Sequence, residues 1–61
     1  MELTKEQSDY LLRYCQNNQV YNHHEVASIV AVSEAMGDVV VINADWWRNN
    51  MDIYIAMEEL T

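Results

Sequence analysis

The sequence predicts an α+β fold in which an N-terminal helix packs on a three-stranded antiparallel β-meander. Residues 26 to 58 alternate in the manner of two linked β-hairpins. Gly37-Asp38 and Asn49-Asn50 divide that stretch, the first pair suited to a type II′ turn and the second to a type I′ turn. Residues 4 to 19 carry a helical period and supply an element to cover one face of the sheet.

The helix begins at Thr4, whose spacing to Gln7 is that of a capping box with Leu3 as the preceding staple residue. Tyr10, Leu11, Tyr14 and Cys15 form its apolar stripe, extended by Gln7 and Asn18, with Leu12 at the margin. Asn17, Asn18 and Gln19 end it in a polar turn. In the meander, Ile29 faces Trp46, Ala31 faces Ala44 and Ser33 faces Ile42, while Trp46 also faces Ile53 and Ile42 faces Met57. One register thus gathers the apolar side chains of both hairpins on the face toward the helix. Trp46 belongs to that core face, and its neighbour Trp47 to the opposite one.

The middle segment admits an alternative, two helices followed by a β-hairpin. Asn22 to Glu25 has capping-box spacing, Ala27, Ala31 and Ala35 favour helix, and Gly37 suits a helix C-terminus. The β-branched Val26, Ile29, Val30 and Val32 speak for strand, as does the poor separation of polar from apolar sides when the segment is wound as a helix. Both readings share the C-terminal hairpin.

A chain of 61 residues makes one domain spanning residues 1–61. Such a chain buries only about 60% of the surface it exposes when unfolded, so it benefits from a staple such as oligomerisation. Cys15 is the lone cysteine, which excludes an intrachain disulfide and suits a reducing cytoplasm. The polar N-terminus lacks a signal-like apolar run, and no apolar stretch reaches the roughly 18–20 residues of a membrane span. A soluble cytoplasmic protein is expected.

Ten acidic residues against Lys5, Arg13 and Arg48 give a net charge of −7. Residues 25 to 61 hold seven of the acids against Arg48 alone. Such a surface cannot neutralise phosphates, so direct binding of nucleic acid or an anionic membrane is not expected. A basic protein surface is its complement.

On the meander the partner-facing side would carry Val30, Val32 and Glu34 on the first strand, Val41, Asp45 and Trp47 on the second, and Asp52, Tyr54 and Glu58 on the third. Aromatic and aliphatic anchors fringed by carboxylates match the composition of an interface. The first strand is uncharged from Val26 to Ser33, and pairing of that edge with a two-fold mate would make a six-stranded homodimer.

Catalytic constellations are thin. His23 and His24 are adjacent and diverge in regular structure, and with Cys15 they form no closed metal-ligand set. No glycine-rich phosphate loop occurs, and a small domain offers little volume for a carboxylate dyad. No enzyme activity, metal or cofactor is expected; purely structural self-assembly, or a metal or catalytic role for His23, His24 or Cys15, are the competing readings. In size, acidity and lack of catalytic motifs the chain resembles the small inhibitor proteins with which phages and mobile elements block DNA-binding enzymes. That resemblance implies occlusion of a basic surface meant for phosphate.

Overall fold

The computed structural model describes residues 1–60 and is predominantly helical. In order, β1 is Glu2–Leu3, α1 Lys5–Asn17, α2 His23–Met36, β2 Val40–Val41, α3 Ala44–Asn49 and α4 Met51–Glu59. The strands β1 and β2 pair antiparallel, Glu2 opposite Val41 and Leu3 opposite Val40. This two-stranded ladder is the one sheet among the described residues, and the three-stranded meander does not form. The two-helix alternative comes closer, since α1 and α2 lie where it puts them, but its hairpin at the C-terminus is replaced by α3 and α4.

The capping box at the start of α1 is complete. Gln7 N donates to Thr4 Oγ1 (3.2 Å), and Thr4 N donates to Gln7 Oε1 (2.8 Å). Gln7, Ser8, Leu11 and Cys15 form the buried stripe, while Tyr10 turns outward. Lys5 Nζ reaches both Asp9 (3.0 Å) and Glu34 (2.9 Å), which ties the beginning of α1 to the last turns of α2.

Helix α2 occupies the segment assigned to the first strand. Gly37 ends it in the left-handed conformation (φ 73°), with Gly37 N bonded to Glu34 O (3.2 Å) and Asp38 N to Ser33 O (2.9 Å). This pair of bonds is a Schellman closure, which absorbs the orphan carbonyls of the last turn and uses the glycine that looked like a hairpin turn. The β-branched residues cost helix propensity, and burial of Val26 and Val30 in the core with Leu11 and Cys15 outweighs it.

The C-terminal half winds because Asn43 acts as a cap, not as a strand residue. Its Oδ1 accepts from Asp45 N (2.7 Å), with Asp45 in the first turn of α3 and Arg48 in the last. Asn49 and Asn50, taken as a type I′ turn, instead bond back to the carbonyls of Asp45 and Trp46 and separate α3 from α4. Ile53 and Met57 then enter the core with Ala56 and Leu60 packed beside them, a helical rather than alternating set.

Helical geometry also corrects the placement of the tryptophans. Successive helical residues are about 100° apart rather than opposed, so Trp46 and Trp47 are both buried, each 5% exposed. Their rings meet edge to face at 5.2 Å. Trp46 Nε1 donates to Tyr21 O (2.7 Å), fastening α3 to the turn between α1 and α2. Among the described residues no helix is long and apolar enough to cross a membrane.

Candidate interaction site

The junction of α3 and α4 builds a groove against the N-terminus of the chain. Ala44, Trp47 and Arg48 share one side of α3, and Met51 and Tyr54, three apart, share one side of α4. With Met1 they line a groove of about 400 Å³. Trp47 forms its buried wall and holds Tyr54 edge to face at 5.4 Å. Met1 and Met51 are exposed and give the lining adaptable apolar surface. Among the described residues the buried indole N–H of Trp47 has no hydrogen-bond partner.

The rim is charged. Arg48 is held by the carboxylate of Asp45 one turn earlier, and the exposed Asp52 follows Met51. Lys5 is likewise held by the chain's own acids: Glu34 and Asp9 keep its ammonium above the ordinary value, and Lys5 keeps the Asp9 carboxyl below its own. Two of the three cations are therefore already engaged, and Glu2, Glu6, Glu25, Asp38 and Glu59 are exposed around the molecule.

The sheet face expected from the sequence is dispersed. Val30 is fully buried on the core-facing side of α2, whereas Val32 stands on that helix's outer side. Glu34 is drawn to Lys5, Val41 faces outward from β2, and Glu58 is exposed on α4. Trp47 and Tyr54 do come together, in the groove wall; Asp45 is joined to it through its ion pair with Arg48, and Asp52 is an exposed residue of α4 outside the lining. The uncharged edge at 26–33 is helical, so the six-stranded pairing has no strand to build on. Met1, Ala44, Arg48 and Met51 were not anticipated; helical spacing relates Ala44 to Trp47 and Arg48 within α3 and Met51 to Tyr54 within α4, and the turn at Asn50 that joins the two sets carries no such signal.

The groups proposed for chemistry are separate. His23 and His24 stack with ring centroids 4.1 Å apart, and His23 Nδ1 lies 2.8 Å from Val20 O. Cys15 is 1% exposed, and burial pushes its thiol up to about 11, so little of it is the nucleophilic thiolate near neutrality. Among the described residues no three His, Cys, Asp or Glu side chains are grouped to hold a metal ion. No family model matches the chain, and neither the curated proteins nor the solved structures contain a match.

Proposed function

We propose that this protein is a non-catalytic interaction module that binds and occludes a basic protein surface, such as one that ordinarily holds nucleic acid. The observation that carries the reading is the charge arrangement: a net charge of −7 on which Lys5 and Arg48 are already held by internal carboxylates. Long-range attraction to a cationic surface follows from that field. The groove at Trp47, Met51 and Tyr54 supplies the short-range part, an apolar recess lined also by Arg48, whose charge is met by its ion pair with Asp45, with the exposed Asp52 next to Met51 in sequence. An inhibitor acting in this way needs no chemistry of its own, since filling the site excludes the phosphate.

The test is affinity capture with the immobilised protein, comparing the parent with a Met51→Ala, Asp52→Asn double variant. Both positions are exposed, so the fold is retained. The expected result is a basic protein retained near equal stoichiometry by the parent, released by salt and weakened in the variant. Retention of acidic proteins, or binding indifferent to both salt and variant, would refute the reading.

A further inference from the structure

Helix α2 is apolar on nearly every side, yet only one side is covered. Val26 and Val30 face the core, while Ile29, Val32 and Met36 are 38%, 57% and 69% exposed. A helix that is apolar all round is ordinarily buried all round. We propose that the outer side of α2 is the contact surface for a second copy of this chain, the two helices crossing antiparallel about a two-fold axis at Val32.

Charge selects that occupant. No residue from Val26 to Ser33 is charged; Glu25 stands at the N-terminal end of the stripe, one turn before Ser28 and Ile29, and Glu34, in the later turns of the helix, is turned to Lys5 of α1. A basic partner would find no carboxylate along the middle of this stripe to pair with. Two chains of net charge −7 repel at most other contacts, and here they meet where the charge is least.

The stripe is also complementary to itself. Ser28, Ile29, Val32, Ala35 and Met36 form a set symmetric about Val32, so an antiparallel copy places Ile29 against Ala35 and Met36 against Ser28. Large side chains meet small ones, which lets the ridges interlock. Beside Ser28 a shallow hollow of about 330 Å³ is bounded by Ile29, Val32 and Ser33, and Met36 of the second copy is the side chain placed to fill it. A standard interface takes about 800 Å² from each partner, about a fifth of this molecule's 4098 Å². One helix face covers less than that, so the contact belongs with weak, transient interfaces.

Sedimentation equilibrium from about 10 μM to about 1 mM tests this. The parent is expected to rise from 7.2 kDa toward twice that mass, and Val32→Glu to remain monomeric with unchanged circular dichroism. Val32→Cys, placed at the axis, is expected to form a disulfide-linked dimer under mild oxidation, whereas Glu59→Cys is not. This second test decides the matter if Val32→Glu perturbs the fold. A parent that stays monomeric at about 1 mM, a dimer that Val32→Glu leaves intact, or equal cross-linking at both cysteines overturns the proposal.

Discussion

Gln7 Nε2 donates to Met57 O across 2.8 Å, joining residues fifty positions apart in the buried interior. The same side chain closes the capping box of α1 through its Oε1, so one amide both starts the first helix and anchors the last. Gln7→Ala removes both bonds, leaves a cavity and is expected to cost about 2–4 kcal/mol. Thr4→Ala removes only the cap and is expected to cost about 1 kcal/mol. Urea unfolding of the two variants checks this, and equal losses would mean that the long-range bond contributes nothing.

The adjacent tryptophans are equally buried but differ in their polar atoms. Trp46 Nε1 is bonded to Tyr21 O, whereas Trp47 Nε1 has no partner among the described residues. Phenylalanine at position 46 therefore loses a hydrogen bond, and at position 47 it discards a desolvated donor. Trp46→Phe is expected to be the less stable variant by about 1–3 kcal/mol. Thermal melts followed by circular dichroism measure the difference, and the reverse order would contradict the assigned bond.

The first helix was legible because Thr4 and Gln7 make local bonds that depend on nothing distant. The rest was obscured by residues whose local chemistry serves two structures. Gly37 satisfies a hairpin turn and a Schellman closure equally well, because both need a positive φ. Ile42, Ala44 and Trp46 alternate as a strand would, while Ile53 and Met57 have helical spacing; the Asn43 cap decides for helix at Ala44. The weak segregation of polar and apolar sides in α2 counted against a helix. An outer side that contacts a second copy, as proposed above, would produce that pattern. Trp47 and Tyr54 were placed on one face of the wrong scaffold; the junction of α3 and α4 at Asn50, and not a strand pairing, brings their rings together.

Cys15 gives the fold a pH-dependent component. Its thiol lies at about 11 in the folded chain against an ordinary 9.0, with burial as the cause. Below pH 9 both states keep the proton and the contribution is fully present. Between pH 9 and 11 the unfolded chain ionises first, so stability falls as pH rises, by up to about 2–3 kcal/mol. Cys15→Ala is expected to flatten that part of the curve while lowering stability at neutral pH through lost packing. Urea midpoints for both proteins across this window measure it, and parallel slopes would show that the thiol is not desolvated.

Salt should move the two proposed contacts in opposite directions. Binding to a basic surface is driven by attraction from a chain of net charge −7, so added salt slows association and weakens it. The α2 contact brings two such chains together through an uncharged stripe, and what opposes it is their mutual repulsion. Screening that repulsion strengthens the dimer. Raising ionic strength from about 0.01 M to about 0.15 M shortens the Debye length from roughly 30 Å to roughly 8 Å. The principal-axis extents of one molecule are 27 × 24 × 20 Å, so this change removes most repulsion between charges distributed over the two copies. The dimer dissociation constant is therefore expected to fall severalfold over that range, while the captured partner dissociates more readily. Sedimentation equilibrium and surface-binding kinetics at the two salt levels separate the effects. A dimer that loosens with salt would place carboxylates and cations, and not Val32, at the contact between copies.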